Sequence, residues 1–221
     1  MGGGIPKQYL TLGGVPILVH SLRVLEAVAA VHEIILAVPE TEREYCLEKI
    51  VTQYQIKKVT KIVAGGERRQ DSVRHGLQEV GKSAEIVLVH DAVRPLITSE
   101  LVERVITRAS SVGAAIAAIP MRDTAKRVRE DGMIEATVDR GQLWLAQTPQ
   151  AFKLHMLRDA HRKAHLEGFH ATDDAQLLEW MGVPVAIVEG SEENIKITRP
   201  EDLAVGEAIL ASRKKKVTSD E

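Results

Sequence analysis

The sequence predicts an α/β fold, a doubly wound sheet that carries a protruding β-arm, on three observations. Short apolar runs alternate with amphipathic stretches along most of the chain, which is the pattern of strands covered by helices. The 221 residues are 44% hydrophobic but only 3% aromatic, and a Val/Ile/Leu/Ala-rich composition suits strands buried on both faces. The alternation lapses once, between Met121 and Leu145, where a hairpin signal replaces it.

Taken in order, Pro16 can open a helix in which Ile17, Leu18, Leu22, Leu25 and Val28 recur at helical spacing. Glu33 to Val38 (EIILAV) is a buried strand ended by Pro39, and a helix over Glu40 to Ile50 follows. Val59 to Val63 is the second strand and leads to Gly65-Gly66. A helix spans Gln70 to Glu79, with Val73 and Leu77 on one face. Glu85 to Val89 (EIVLV) is the third strand and ends at His90-Asp91. A helix over Ser99 to Ser111 precedes a fourth strand, Ala114 to Ile119. Ala125–Val128 and Met133–Val138 flank Asp131-Gly132, a strong hairpin turn. Helices over Leu154–Glu167 and Asp173–Met181, a strand over Val183–Val188 and a helix over Pro200–Ser212 complete a single domain over 1–221, with 121–145 as its arm. An arm that cannot bury its own apolar face calls for a partner, so a homodimer is expected.

Composition narrows the function classes. Lys+Arg is 29 and Asp+Glu is 31, a formal charge of -2, so nothing global attracts a nucleic acid. Cys46 is the only cysteine; it can form neither an internal disulfide nor a thiolate cluster and reads as core filler. No apolar run is long enough to span a bilayer and the start is not a signal peptide, so no membrane partner and a cytoplasmic location are expected. There is no Gx4GK[ST] loop, GxGxxG fingerprint, GxSxG elbow or HExxH pair.

Ligands of open α/β sheets bind beyond the carboxyl ends of the strands, and polar clusters fall at such positions. In Gly65-Gly66-Glu67-Arg68-Arg69-Gln70-Asp71-Ser72, two glycines permit close backbone approach, and cations and a hydroxyl stand at a helix start, which suits phosphate or nucleotide. In His90-Asp91-Ala92-Val93-Arg94-Pro95, the carboxylate suits a hard cation such as Mg2+ and the arginine suits phosphoryl oxygens; a local Asp91–Arg94 pair that fixes the loop is the alternative. Thr148-Pro149-Gln150, preceded by Arg140 and Gln147, forms a third cluster. Thr172-Asp173-Asp174 is a fourth, for which an ordinary helix cap would also account. Asn194-Ile195-Lys196-Ile197-Thr198 adds a lysine just past a strand.

These stretches, with PKQYL (Pro6 to Leu10), Asp123-Thr124-Ala125-Lys126, DRGQLWLAQTPQAF (Asp139 to Phe152), TDDA (Thr172 to Ala175) and NIKITRPEDL (Asn194 to Leu203), closely resemble the 2-C-methyl-D-erythritol 4-phosphate cytidylyltransferase family, in family order and over nearly the whole chain. The resemblance implies a Rossmann-like nucleotidyltransferase core, a β-arm that clasps its partner, CTP as co-substrate, a divalent cation (Mg2+), and a polyol phosphate acceptor. It implies that Lys7 and Lys196 contact the CTP phosphates and that Asp91 serves the ribose, phosphate and metal region. Gly65, Gly66 and Ser72 would line the cytosine side, with Arg69 holding that loop. Arg94, Thr124, Arg140 and Thr172 would belong to the acceptor site, Thr124 and Arg140 reaching it from the other subunit.

The family opens with an apolar strand and a loop of the form AAGxGxRMG, whereas this sequence starts at Met1-Gly2, matching the end of that loop. The expectation is therefore a start placed at an internal methionine, or else a short chain that folds or works poorly. The alternative functions are a cytidylyltransferase for another polyol phosphate such as ribitol 5-phosphate, a uridylyl or glycosyl transferase on the same sheet, and a non-catalytic interaction protein.

Overall fold

The computed structural model describes residues 6–219; the shortened loop at Met1-Gly2 lies outside them. A 3-10 turn, Lys7–Tyr9, leads into a small hairpin of β1 (Thr11–Leu12) and β2 (Val15–Pro16), which the sequence reading does not contain. Helix α1 (Ile17–Ala27) starts behind Pro16, as expected, and buries Leu18, Leu22 and Leu25. β3 (Ile34–Val38) follows. The helix expected at Glu40 divides into a 3-10 turn, Glu40–Glu42, a single α turn, α2 (Arg43–Tyr45), and a π-helical stretch, Cys46–Thr52. Cys46 is fully buried, and burial first of all pushes its thiol up to about 11.

β4 (Val59–Ala64) pairs in parallel with β3. Then come α3 (Arg69–Glu79), β5 (Ile86–Val89), α4 (Ser99–Val112), β6 (Ala114–Pro120), the arm strands β7 (Ala125–Val128) and β8 (Ile134–Val138), and β9 (Trp144–Lys153). Helices α5 (Leu154–Glu167) and α6 (Asp174–Trp180), strand β10 (Ala186–Glu189) and helix α7 (Pro200–Ser219) complete the chain. Gly168 closes α5 in the left-handed region, φ 66°, where a residue with a Cβ is strained.

The second sheet has the order β10-β6-β9-β5. β6 is parallel to β10 and antiparallel to β9, which is antiparallel to β5. The alternation along β6 is visible in its packing. Ala114 and Ile116 face Leu157, Ala160 and Ala164 of α5, whereas Ala115 and Ala117 face Leu101, Val105 and Ala109 of α4. Small side chains at these positions let both helices lie close to the strand. Fully burying one Leu or Phe, such as Leu157 or Phe152, stabilises by about 1.5–3 kcal/mol.

β9 is a strand that the sequence reading treats only as a polar cluster. Pro149 and three polar residues lie inside it, features that argue against a central strand. The structure accommodates them because a register shift interrupts its pairing with β6 between Ile116 and Ala118, and because the polar side chains find partners. The arm is the expected hairpin: β7 and β8 pair antiparallel, Gly132 turns at φ 81°, and Asp131 Oδ1 accepts the Met133 N–H at 3.0 Å.

Among the described residues the sheet of β3 and β4 does not join this one: β3 pairs only with β4, and β5 only with β9. Between β3 and β5 runs a cleft of about 860 Å3, walled by Ile34–Ala37 on one side and Ile86–Val89 on the other. Leu18, Leu22 and Leu25 of α1, together with Val73 and Leu77 of α3, complete its lining. No helix among the described residues is long and apolar enough to cross a membrane.

Candidate active site

The carboxyl ends of β4 and β5 meet at the start of α3. Gly65 and Gly66 leave β4; the Gly65 N–H donates to Val38 O at 2.7 Å, and the Gly66 N–H donates to Ser72 Oγ at 3.0 Å. A Cβ on Gly66 would stand 2.2 Å from the Asp71 Cβ, so only glycine permits this turn. Arg69, the first residue of α3, reaches across to Asp91 just past β5.

Asp91 is held on every side. Its N–H donates to Thr148 Oγ1 at 3.0 Å, and Thr148 Oγ1 lies 3.0 Å from Nδ1 of His90. His90 Nε2 faces Arg94 O at 3.1 Å, so the imidazole donates from Nε2 and accepts the threonine proton at Nδ1. Burial drives the His90 pKa down to about 4, so the ring is neutral at neutral pH. On the side chain, Arg69 Nε donates to Asp91 Oδ1 at 2.9 Å and Lys196 Nζ to Oδ2 at 2.8 Å. Burial alone would raise the Asp91 carboxyl; the charge of Arg69 and the bonds from Lys196 and Arg69 overcome it and lower the pKa to about 2. The local Asp91–Arg94 pair does not form as the loop's fixing contact. Arg94 Nη1 instead donates to Asn194 O at 2.7 Å, and burial lowers its pKa.

Asn194, fully buried, ties the loop carrying Lys196 to β9: its Nδ2 donates to Thr148 O at 2.9 Å and to Gln147 Oε1 at 3.2 Å. Lys196 lies in the irregular segment after β10 rather than at a strand end, and its side chain is 40% exposed. Ile197 N donates to Val93 O at 2.8 Å, pinning this segment beside the Asp91 loop.

A family model described as IspD, 2-C-methyl-D-erythritol 4-phosphate cytidylyltransferase, matches residues 1–212. The chain belongs to this family. A cytidylyltransferase of that name from Syntrophus aciditrophicus is 48% identical over 205 residues, 93% of this chain and 88% of that protein. One from Bacillus mycoides is 46% identical over 215 residues, 97% and 94% of the two chains. Among solved structures, a 4-diphosphocytidyl-2C-methyl-D-erythritol synthase from Anaerococcus prevotii superposes with a TM-score of 0.85 at 31% identity, covering 95% of this chain and 92% of that one. A 2-C-methyl-D-erythritol 4-phosphate cytidylyltransferase from Thermus thermophilus gives 0.79 at 35%, covering 93% and 94%. The fold is thus the Rossmann-like nucleotidyltransferase fold of the family, with its β-rich protrusion.

Of the residues singled out in the sequence of this cytidylyltransferase family member, the structure brings Asp91, Lys196 and Arg69 into direct contact and sets Arg94 beside them through Asn194. Gly65, Gly66 and Ser72 form one turn at the neighbouring strand end. Lys7 is exposed on the first 3-10 turn, which is anchored by Gln8 Nε2 donating to Glu42 Oε2 at 2.7 Å and by the Tyr9 ring against Tyr45. Thr172 is exposed next to Asp173, which caps α6 by accepting from Gln176 N at 3.0 Å. Thr124 and Arg140 are exposed on the arm, Arg140 donating to Arg122 O. Among the described residues, no hydrogen bond or ion pair joins either of them to the Asp91 cluster.

Two further residues join this network. Arg69 Nη1 donates to Asp174 Oδ2 at 2.6 Å, and His161 Nε2 lies 2.9 Å from Asp174 Oδ1. Asp174 stands in the Thr172-Asp173-Asp174 cluster of the sequence, where a helix cap would also account for it, whereas His161 looks like one polar residue in an amphipathic helix and carries no sequence signal. Arg69 was expected to hold the glycine loop; its side chain instead turns to the two carboxylates.

Proposed function

We propose that this chain transfers a cytidylyl group from CTP to 2-C-methyl-D-erythritol 4-phosphate, giving 4-diphosphocytidyl-2-C-methyl-D-erythritol and pyrophosphate. The observation that carries the reading is a cationic strand-end site, Asp91–Lys196–Arg69–Arg94, in a chain of this family. A phosphate oxygen of the acceptor forms the new bond to the α-phosphorus of CTP, and the bond from that phosphorus to the β-phosphate bridging oxygen breaks. The nucleophile is already ionised near neutral pH, so no protein base is required. The task is to bring two polyanions together and to offset charge on the α-phosphoryl oxygens.

Lys196 and Lys7 supply that charge. Lys196 rests on Asp91, and its exposed, flexible stem lets it turn to a phosphate. Gly65, Gly66 and Ser72 receive the cytosine through backbone groups. Arg94 and Thr172 face the acceptor, and Thr124 and Arg140 complete its site from a second subunit. A homodimer through the arm is supported by its exposed apolar residues: Val128, Met133, Ile134, Trp144 and Leu145 are 39–63% exposed.

The donor set fits a Mg2+ ion that arrives with the triphosphate. Among the described residues no three His, Cys, Asp or Glu groups converge, but such an ion takes one or two carboxylates and fills its remaining positions with phosphate oxygens and water. Asp91, ionised at neutral pH, would hold it. When bound, the ion neutralises phosphoryl charge.

The cleft between β3 and β5 suits a further apolar strand of the sheet, as the family resemblance implies. Among the described residues both of its walls are edge strands, and Leu18, Leu22 and Leu25 of α1 and Val73 and Leu77 of α3 give it apolar faces. Joining an apolar strand and the start of a glycine loop ahead of Met1 should raise Tm by several degrees; an unchanged Tm sinks this reading.

Pyrophosphate release tests the activity. CTP with methylerythritol phosphate and Mg2+ should turn over, UTP should not substitute, and ribitol 5-phosphate should be slower. Faster turnover of ribitol phosphate overturns the acceptor assignment.

A further inference from the structure

Behind the Asp91 carboxylate lies a line of charged and polar groups that reaches into the core. It runs from His161 Nε2 to Asp174 Oδ1 at 2.9 Å, from Asp174 Oδ2 to Arg69 Nη1 at 2.6 Å, from Arg69 Nε to Asp91 Oδ1 at 2.9 Å, and from Asp91 Oδ2 to Lys196 Nζ at 2.8 Å. The line has a buried end and an open end: the side chains of His161 and Asp174 are 2% and 1% exposed, those of Arg69 and Asp91 are 31% and 13%, and that of Lys196 is 40%.

Arg69 therefore spends two neighbouring donors of one rigid plane on two different carboxylates. Asp174 fixes the plane, and the plane fixes Oδ1 of Asp91. With its backbone N–H held by Thr148, Asp91 turns its other oxygen, Oδ2, to Lys196, the more exposed side of the line. Stability alone is a poor account of this arrangement. A buried charge bridge is often matched or bettered by apolar residues of similar volume. Holding a reacting-side carboxylate by groups further from the ligand is a recurrent way to fix its orientation.

We infer that Asp174 and His161 are positioning residues for Asp91, acting through Arg69: they set which carboxylate oxygen faces the nucleotide and its metal. The inference rests on the reading of Asp91 as the metal- and phosphate-facing carboxylate. Asp174 orients Arg69 directly. His161 holds the other oxygen of Asp174 and prevents that carboxylate from swinging away from the guanidinium.

The test compares Asp174→Asn, His161→Leu and His161→Gln, whose amide can still donate to Asp174, with Asp91→Asn as reference. Three quantities are read: kcat, the Mg2+ concentration at half-maximal CTP binding by calorimetry without acceptor, and Tm. Outer groups of this kind typically cost about 10–100-fold in metal affinity or activity when removed. Asp174→Asn and His161→Leu should thus lower kcat about tenfold or more and raise the Mg2+ midpoint, with little change in acceptor KM, while His161→Gln should recover most of both.

Variants that lose Tm but keep kcat and the Mg2+ midpoint would overturn the inference, as would a His161→Gln as impaired as His161→Leu. If His161→Leu fails to fold, Asp174→Asn, which preserves volume, decides alone. If Asp91→Asn is itself fully active, the reading of Asp91 falls; if it is inactive while the others are normal, only the positioning role falls.

Discussion

Replacing Arg69 by Met should expose how much of the site's electrostatics is also folding energy. The change keeps an apolar stem and removes the one cation that touches both Asp91 and Asp174. Arg69 and Lys196 hold the Asp91 carboxyl at about 2 against an ordinary 3.8, a difference that corresponds to about 2 kcal/mol at neutral pH. Asp174 is also held below its ordinary range: burial alone would raise it, and His161 and Arg69 lower it. Stripping one partner from a buried pair costs about 3–5 kcal/mol, and the 31% exposure of Arg69 reduces that. A loss of about 3 kcal/mol corresponds to roughly 6–12 °C in Tm for a chain of this size.

The pH dependence follows from the direction of the shifts. Carboxyls depressed in the folded state contribute fully above their unfolded value, near 4, and lose that contribution as pH falls through the folded value near 2. Urea unfolding of both proteins at pH 7 and pH 3 should therefore show the gap narrowing by about 1 kcal/mol or more. A gap of equal size at both pH values would mean that Arg69 contributes through stem packing, and the electrostatic account would be refuted.

Lys196→Ala should fold normally and lower kcat by roughly 10²–10³ at saturating CTP and Mg2+, the usual cost of one well-placed donor; a change in KM alone would make it a binding residue only. Ile134→Glu with Met133→Glu places charges on the exposed apolar arm, and sedimentation should show monomers with reduced turnover; a fully active monomer contradicts both the dimer and the shared site. Phe152→Ala empties a fully buried position and should cost about 3–5 kcal/mol in urea unfolding. Cys46, buried and with its thiol pushed up to about 11, should react with a thiol reagent only at the rate of unfolding; rapid labelling of the native protein would contradict its place in the core.

Much of the fold is legible because hydrophobic period and punctuation are local properties. Pro16, Pro39 and Asp131-Gly132 mark boundaries that the structure keeps, and β3 to β6 fall on the apolar runs. β9 escapes because its apolar period is interrupted by Gln147, Thr148, Pro149 and Gln150, whose partners lie elsewhere in the chain: Asn194, His90 and Asp173. The site divides in the same way. Asp91 and the Gly65-Gly66 turn are visible as polar residues at strand ends, and Lys196 as a lysine past the last strand. Asp174 is visible only as one acid of the Thr172-Asp173-Asp174 cluster and His161 not at all, because the contact of Asp174 with Arg69, 105 positions away, leaves no periodic trace in either segment.

The continuity of β9 has a mechanical consequence. One strand starts at the exposed Trp144 and ends at Lys153, paired with β6 from Trp144 to Phe152 across a register shift, and with β5 from Gln150 to Lys153. Midway along it, Gln147 and Thr148 grip the Asn194 loop and the His90–Asp91 turn. At about 3.3 Å per residue the strand spans the distance from the foot of the arm to the site in a single element. A displacement at the foot of the arm is thus passed to the Asp91 turn through one strand and the Thr148 hydroxyl, so a partner seated on the arm would bear on the alignment of the reaction centre at a distance.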